Sequence, residues 1–154
     1  MFKIITVKAE TEYVAASALF KEYAEWLNID LSFQNFEEEL LQLKEMYSEP
    51  HGAIFLLVEE NEYTGCVAIR KKEKDIAELK RMYIQPACRK SGSGSLLLST
   101  ALNKAIQLGY KKIRLDTLAT MIPAINLYKK AGFYEIDPYY FNPEKNAVFF
   151  EKML

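Results

Sequence analysis

The sequence predicts an α/β fold in which one mixed β-sheet carries helices on its faces. β-rich runs alternate with helical runs in the order β-α-α-β-β-β-α-β-α-β-β. The chain has 154 residues and is 50% hydrophobic, which is enough for one sizeable core. It contains no internal repeat and no linker, so residues 1–154 are expected to form a single domain.

The N-terminal third predicts one strand followed by two helices. Residues 2–9 are rich in β-formers that alternate with polar residues, which favours a strand. Residues 11–27 contain few helix breakers and carry apolar residues at helical spacing, namely Val14, Ala18, Leu19 and Trp26. Residues 35–47 predict a second helix, with Asn35 as its N-cap and acidic residues in its first turn.

The middle of the chain predicts three strands. Residues 53–60 and 63–72 are both β-rich, and the dipeptide Asn61-Glu62 separates them, which indicates a hairpin. A third β-rich run follows at residues 75–86 and ends in a proline.

The C-terminal half predicts two helices that alternate with strands. The first helix spans about residues 92–108. Its apolar face consists of Leu98, Ala101, Leu102, Ala105 and Leu108. A strand is predicted at residues 111–118 and a second helix at residues 122–131. The tail predicts two further strands, at residues 133–141 and 146–154.

The composition points away from several classes of partner. The formal net charge is −1 and the basic residues are interleaved with acids, so we expect neither nucleic acid nor membrane as a partner. No apolar run approaches the ~18 residues of a membrane helix, and the charged N-terminus does not resemble a signal peptide. Cys66 and Cys88 match no zinc or redox spacing, and we expect no bound metal. Two thiols are typical of a reducing compartment, which predicts a cytoplasmic protein.

A glycine- and serine-rich segment, Ser91–Ser95, stands directly before the third predicted helix. A helix N-terminus presents unpaired N–H groups, and glycines before it let the backbone approach an anion closely. Arg89 and Lys90 add positive charge at the mouth of this segment. The segment therefore fits either a phosphate-binding loop or a plain connector.

Two phosphate motifs do not fit this segment. A P-loop requires a lysine directly after its last glycine, and no lysine follows Gly94. The dinucleotide fingerprint requires a third small residue, and Leu97 occupies that position. That fingerprint also places its first glycine close behind a strand, whereas residues 86–91 intervene here.

The pattern Arg89-x-x-Gly92-x-Gly94, after a strand and before an amphipathic helix, resembles the acetyl-CoA signature of the GNAT superfamily of N-acetyltransferases. A second segment of that family is similar to "AINLYKKAGFYEI" at Ala124, Leu127, Tyr128, Gly132 and Phe133. The resemblance spans essentially the whole chain and is most specific over residues 76–134. It implies the acyl-CoA N-acyltransferase fold of that superfamily, with a central, mixed and mostly antiparallel sheet.

The resemblance also implies how a co-substrate binds. The pyrophosphate of coenzyme A would be cradled by the loop residues Arg89, Lys90, Ser91, Gly92, Ser93, Gly94 and Ser95. Backbone N–H groups of Met82, Tyr83 and Ile84 would bind the thioester and the pantetheine. The implied reaction is direct transfer of the acetyl group of acetyl-CoA to a primary amine of a small molecule or peptide.

Two side chains are candidates for the proton transfers that amine acetylation requires. By resemblance, Glu78 would deprotonate the acceptor amine and Tyr128 would protonate the leaving thiolate. Strand alternation predicts that Glu78, Lys80 and Met82 share one face. Both candidates also have an ordinary interpretation. Glu78 fits an exposed strand residue paired with Lys80, and Tyr128 fits a packed helix aromatic.

The acceptor, the assembly and turnover itself are left open. By resemblance, residues 26–47 and the pair Tyr139-Tyr140 would wall the acceptor side. A homodimer is expected, because many relatives dimerise and the apolar last strand would otherwise be an exposed sheet edge. One alternative to an enzyme is an acyl-CoA-binding or regulatory module without turnover. A phosphate-binding domain without coenzyme A is a third reading, supported by the glycine loop alone.

Overall fold

Seven strands form one sheet, in the order β1-β2-β3-β4-β5-β7-β6, in a computed structural model that describes residues 1–89 and 91–154. The strands are β1 (Phe2–Thr6), β2 (Ala53–Glu59), β3 (Glu62–Glu73), β4 (Ile76–Ile84), β5 (Lys112–Leu118), β6 (Tyr134–Ile136) and β7 (Ala147–Met153). The helices are α1 (Glu10–Leu27), α2 (Phe36–Leu41), α3 (Leu43–Met46), α4 (Ser93–Gln107) and α5 (Ile122–Lys130). The predicted α/β class, a mixed sheet flanked by helices, is confirmed.

The sheet is mixed and mostly antiparallel, as predicted. Within the described chain, β4 and β5 pair in parallel, and the other neighbouring strands pair antiparallel. Parallel neighbours cannot be joined by a tight turn, and α4 supplies the crossover between β4 and β5. This crossover places the N-terminus of α4, and the loop before it, at the carboxyl end of β4.

The sheet separates two hydrophobic cores. One core lies against α4, which buries the predicted residues Leu98, Ala101, Leu102 and Ala105. The other core lies against α1 and α3 and contains Phe20, Tyr47 and Leu56. The central strand β4 contributes to both cores, because Leu79 packs on the α4 side and Tyr83 on the α1 side.

The buried face of α1 includes only part of the apolar pattern that predicted the helix. Leu19 is buried, whereas Val14, Ala18 and Trp26 are exposed. The helix instead turns Phe20 and Tyr23 toward the sheet. These aromatic side chains bury more apolar area than Val14 and Ala18 could, so the aromatic stripe determines which face packs.

The predicted helix over residues 35–47 is interrupted. Helix α2 ends at Leu41, the backbone of Gln42 leaves the helical region with φ −125°, and α3 begins at Leu43. Asn35 is the N-cap of α2 as predicted, but its φ is 57° and its side chain forms no capping hydrogen bond. Two short helices therefore replace one longer helix.

The C-terminal strands also depart from the prediction. β6 covers only Tyr134–Ile136 instead of residues 133–141, since Pro138 lacks the N–H that would continue a strand ladder. β7 lies between β5 and β6 and is not a sheet edge. The edge argument for a homodimer is therefore wrong, and the homodimer stays a prediction from the resemblance alone.

The described residues, 1–89 and 91–154, contain neither a helix suited to span a membrane nor a side-chain group suited to hold a metal ion. None of their helices combines the length and the apolar character of a membrane span. None of their His, Cys, Asp and Glu side chains form a group of three placed to hold a metal ion. Both Cys66 and Cys88 are free thiols.

Candidate active site

Strands β4 and β5 run side by side for three residue pairs and then diverge. Their last pair is Glu78 opposite Arg114, although β4 continues to Ile84 and β5 to Leu118. The divergence leaves a V-shaped opening at the carboxyl ends of both strands. Backbone groups on its two inner edges are too far apart to pair with each other, so they are available to a ligand.

A β-bulge at Arg81 explains the divergence. Cys66 and Ala68 are two residues apart on β3, but their partners on β4, Tyr83 and Lys80, are three residues apart. The extra residue, Arg81, has a left-handed φ of 57°. A bulge bends its own strand, so β4 turns away from β5 at this point.

The bulge also changes which side chains share a face. Glu78, Lys80 and Met82 were predicted to lie together, and this is wrong because the extra residue reverses the alternation. Lys80 and Arg81 both contact Gln34, on the α1 side of the sheet. Met82 packs against the opposite core, beneath α4.

Two cavities lie on the α1 side of β4. The smaller, of about 50 Å³, sits at the opening, and its walls include Tyr23, Arg81 and Asp116. The larger, of about 360 Å³, extends from it toward α2 and β3. Its walls include Gln34, Glu38, Glu39, Arg70, Lys72, Glu78, Lys80 and Tyr140. Gln34 and Lys80 line both cavities, so the two spaces meet at these side chains.

Glu78 lies in the larger cavity with 1% of its surface exposed. Arg70 lies opposite Glu78 on the neighbouring strand β3. Its Nε donates to Glu78 Oε1 at 3.0 Å, and its Nη2 lies 3.0 Å from the same oxygen. The Tyr139 hydroxyl donates to Oε2 at 2.6 Å. Burial alone would raise the pKa of this carboxyl, but Lys80, Arg70 and Tyr139 together hold it below its ordinary value. The reading of Glu78 as an exposed residue paired with Lys80 is therefore wrong.

Two cations of β4 are buried beside Glu78. Arg81 donates from Nε and Nη2 to the two carboxylate oxygens of Glu39, at 3.0 and 2.7 Å. Gln34 Oε1 accepts from Arg81 Nη1 at 2.8 Å and from Lys80 Nζ at 3.1 Å. Burial, followed by the neighbouring Arg81, lowers the pKa of Lys80 to about 8. Of this set, only Glu78 was predicted as a catalytic residue, although a Glu-Leu-Lys-Arg run in a strand covered on both faces is itself a signal of a polar site.

A polar network joins the two cavities to the C-terminal segment. Tyr140 donates its hydroxyl to Asp116 Oδ2 and accepts a hydrogen bond from Gln34 Nε2 at 2.9 Å. Asn142 Nδ2 also donates to Asp116 Oδ2, at 3.0 Å. Tyr140 lines the larger cavity, and Tyr139 reaches the site through its hydrogen bond to Glu78. Their role as walls for an acceptor stays a prediction. No local pattern predicts Gln34 or Asp116 as members, because their partners lie far away in the chain.

Tyr128 lies in α5 and is 6% exposed. Its ring packs edge-to-face against Phe133 at a centroid distance of 5.7 Å. Burial raises the pKa of Tyr128, and the nearby Tyr23 and Asp116 contribute smaller increases. Tyr23 and Asp116 line the small cavity, but Tyr128 itself is not among the residues that form the walls of the two cavities. A phenol there stays protonated at neutral pH.

The backbone of Met82, Tyr83 and Ile84 forms one edge of the opening. Gln85 N–H donates to Thr64 carbonyl on the β3 side at 2.9 Å. N–H groups alternate between the two edges of a strand, so the N–H of Tyr83 also faces β3. Those of Met82 and Ile84 face the opening. The Tyr83 side chain turns toward α1, where its hydroxyl donates to a carboxylate oxygen of Glu22 at 2.8 Å.

The glycine-serine loop leads into α4, as predicted. Gly92 is the N-cap with φ 82°, a conformation that favours glycine. The first bond of the helical ladder runs from Leu96 N–H to the Gly92 carbonyl at 3.3 Å. The N–H groups of Ser93, Gly94 and Ser95 precede that bond and point out of the helix end. This end carries a partial positive charge that favours an anion.

Arg89 is fixed beside the loop by its own contacts. Its Nε donates to the Ile84 carbonyl at 2.7 Å, and its guanidinium lies 4.5 Å from the centroid of a Trp26 ring. The Ser91 hydroxyl is hydrogen-bonded within the loop at 3.0 Å. Lys90, also predicted to bind the coenzyme, lies outside the described residues. The coenzyme contacts of this loop therefore stay predictions.

Comparison with known proteins identifies the family. The sequence profile of the Acetyltransferase (GNAT) family matches residues 18–133. An uncharacterized N-acetyltransferase of Schizosaccharomyces pombe is 36% identical over 148 residues, which cover 95% of this chain and 91% of that protein.

Solved structures show the same fold. An acetyltransferase from Streptococcus agalactiae superposes with a TM-score of 0.81 at 20% identity, covering 99% of this chain and 98% of that one. The PaiA N-acetyltransferase of Thermoplasma acidophilum, solved in complex with coenzyme A, superposes with a TM-score of 0.75 at 16% identity. That match covers 100% of this chain and 99% of the Thermoplasma chain. With the family profile matched over most of its length, the chain belongs to the GNAT family of acetyltransferases.

Proposed function

We propose that the protein transfers the acetyl group of acetyl-CoA to a primary amine within a ternary complex. The opening between β4 and β5, which ends at the N-terminus of α4, carries this proposal. It combines unpaired strand N–H groups at Met82 and Ile84 with the positive helix end at Ser93–Ser95. The coenzyme A complex of the Thermoplasma neighbour supports the choice of co-substrate.

The residues on the two sides of the opening suit the two proton transfers. Acetyl transfer forms a C–N bond and breaks the C–S bond of the thioester. Glu78, held ionised by its cationic neighbours, accepts the proton that the amine loses, directly or through a water. Tyr128, kept protonated by burial, gives a proton to the departing sulfur. Backbone N–H groups of Met82 and Ile84 stabilise charge that develops on the carbonyl oxygen.

The larger cavity is the proposed acceptor side. Its volume of about 360 Å³ lies within the range of small-molecule sites, so we favour a small amine over a peptide. Its walls come from the region of residues 26–47 and from Tyr140, two segments that the resemblance assigned to the acceptor. A bound acceptor there would meet Glu78 from the side opposite α4.

Partner and location are proposed on simpler grounds. A net charge of −1 argues against binding to nucleic acid or to a membrane, so we propose neither as a partner. Two free thiols, Cys66 and Cys88, favour a cytoplasmic location. A homodimer is proposed on the resemblance alone, and light scattering at high concentration would decide it.

One observation favours a second candidate, an acyl-CoA-binding module without turnover. Both oxygens of Glu78 already accept hydrogen bonds, as a purely structural carboxylate would. Two measurements together separate the candidates. The first is the release of free thiol from acetyl-CoA in the presence of polyamines, amino acids, aminoglycosides or peptides. The second is calorimetric titration of the protein with acetyl-CoA. Turnover with any amine supports the enzyme. Binding without turnover supports the module, and absence of binding contradicts both.

A further inference from the structure

Lys80 is a buried cation that forms one hydrogen bond within the part of the chain that the structure describes. Its surface is 6% exposed, and its Nζ donates one hydrogen bond, to the neutral amide oxygen of Gln34 at 3.1 Å. That oxygen also accepts from Arg81 at 2.8 Å. Lys80 takes part in none of the ion pairs found among residues 1–89 and 91–154. An ammonium group has three N–H donors, so two remain to be satisfied.

Three carboxylates near Lys80 that are at least partly buried are already engaged, and the remaining carboxylate in the wall of the larger cavity, Glu38, is exposed to solvent. Glu78 accepts from Arg70 and Tyr139. Glu39 accepts two bonds from Arg81. The contacts of the third carboxylate, Asp116, are with Tyr140 and Asn142. A buried ammonium without its own carboxylate is costly to the folded protein, so its presence in a cavity wall favours a ligand that supplies the missing anion.

The surroundings of Lys80 favour a small ligand that carries both an anion and an amine. Lys80 and Glu78 line the same cavity of about 360 Å³, and they are two residues apart on β4. Two residues of a strand span about 6–7 Å, a distance that a small molecule can bridge. Lys72, which lines the same cavity beside the rings of Tyr139 and Tyr140, adds a second cation without a carboxylate partner among the described residues.

We propose that the acceptor is a small amine that also bears a carboxylate, as an amino acid does, and that Lys80 binds this carboxylate. The proposal rests on the proposed acetyltransferase function and names its substrate class. Lys80 anchors one end of the acceptor, while the amine end lies toward Glu78. Amines of similar size without a carboxylate leave Lys80 unpaired and bind more weakly.

Matched pairs of acceptors test this proposal in steady-state assays with acetyl-CoA. Each pair consists of an α-, β- or γ-amino acid and its amide or its decarboxylated amine. The amino acid is expected to have the higher kcat/KM, by about 10- to 100-fold for one charge-assisted hydrogen bond. Lys80→Met keeps the length of the side chain and removes the charge, and it is expected to abolish the preference within each pair. Lys112→Met, at a half-buried strand lysine outside the cavity, is expected to keep the preference.

Two kinetic outcomes overturn the proposal. The first is a set of amines without carboxylates that are acetylated as well as the amino acids. The second is a Lys80→Met variant that loses kcat equally for both members of each pair, since this would indicate a general base and not a carboxylate anchor.

A binding measurement separates failure of this proposal from failure of the proposed function. Calorimetric titration of the amino acids into coenzyme A-saturated protein does not require turnover. Binding that Lys80→Met removes supports the carboxylate anchor even if no amine is acetylated, whereas equal binding to both proteins contradicts it. If the protein acetylates other amines but does not bind amino acids, the acetyltransferase function is supported and the proposed acceptor class is wrong.

Discussion

The Tyr139 hydroxyl donates a 2.6 Å hydrogen bond to Glu78 Oε2 and so ties the C-terminal segment to the central strand. The other carboxylate oxygen accepts from Arg70 Nε at 3.0 Å. This arrangement keeps the carboxylate ionised and fixes its orientation in the cavity wall. Its proton-accepting capacity is then set by the lone pairs that Arg70 and Tyr139 leave free, because each oxygen can accept more than one hydrogen bond.

Glu78→Gln is expected to lower kcat by about 10²- to 10⁴-fold while acetyl-CoA affinity stays near the parent value, because an amide cannot accept the amine proton. Glu151→Gln is a matched control. Glu151 accepts from Arg114 Nε at 2.8 Å and from the Tyr134 hydroxyl at 2.6 Å, so it has the same kinds of partner outside the cavities. Steady-state rates with the best acceptor check this prediction. Equal rates for Glu78→Gln and Glu151→Gln would remove Glu78 from the mechanism.

Tyr128→Phe is expected to lower kcat by about 10²-fold, since only the proton-donating hydroxyl is lost. The ring and its packing against Phe133 remain, so acetyl-CoA affinity and thermal stability should change little. Tyr110→Phe serves as the control, because its hydroxyl contacts the His51 carbonyl away from the opening. Parental turnover by Tyr128→Phe would show that another group protonates the thiolate.

The order of the elements was predictable because each has its own hydrophobic period or turn signal. The structure departs from these predictions where contacts with distant parts of the chain determine the local conformation. The face of α1 follows Phe20 and Tyr23, whose partners lie in the sheet. The tail after Ile136 leaves the sheet at a proline and carries Tyr139 into the site.

Candidate site residues could be proposed from the sequence where they lie in local motifs. The glycine loop and Tyr128 lie in contiguous motifs, and Glu78 occupies a recognisable strand position. The bulge at Arg81 has no glycine to mark it, so strict alternation gave the wrong face for Met82. The Arg81–Glu39 pair joins residues 42 positions apart in the chain, and no spacing rule connects them.

Gly94→Ala tests the anion site at the start of α4. A methyl group at this position would lie 3.6 Å from Ile84 Cδ1 and from Leu127 Cδ2, which is ordinary contact, so the fold should be retained. The methyl group would nevertheless crowd the helix end, and we expect acetyl-CoA affinity to fall about tenfold, or ~1.4 kcal/mol. Gly94→Pro also removes the N–H and should weaken binding further.

Calorimetric titration checks both Gly94 variants, with Ser99→Ala as a control farther along the same helix. Unchanged affinity in Gly94→Pro would exclude this helix end as the pyrophosphate site. A loss of affinity in Ser99→Ala of the same size would indicate a general effect on α4.

The Arg81–Glu39 pair is expected to stabilise the bulge. Both side chains are almost fully buried, at 3% and 2% exposure, and two hydrogen bonds join them. Arg81→Met leaves Glu39 buried without a partner and should lower the free energy of unfolding by about 3–5 kcal/mol. The double variant Arg81→Met/Glu39→Leu should recover most of that loss. Urea unfolding of the three proteins tests this, and a double variant no more stable than Arg81→Met would contradict it.

Lys80→Met is expected to stabilise the protein, and the gain should depend on pH. Burial, with a further contribution from Arg81, lowers the pKa of Lys80 to about 8, below its unfolded value of about 10.4. Below pH 8 the ammonium is charged in both states, and the parent protein bears the full desolvation penalty. Between pH 8 and about 10.4 the unfolded state binds more protons, so the parent gains stability as pH rises.

The stability advantage of Lys80→Met over the parent should therefore be on the order of 2 kcal/mol at pH 7, about 4–8 °C in Tm, and should shrink between pH 8 and about 10.4. Thermal unfolding from pH 6 to 10.5, with Lys112→Met as the control, measures it. A gain that stays constant with pH would reflect better packing of methionine, and a loss at pH 7 would show that the buried ammonium is stabilised by contacts stronger than its single bond to Gln34.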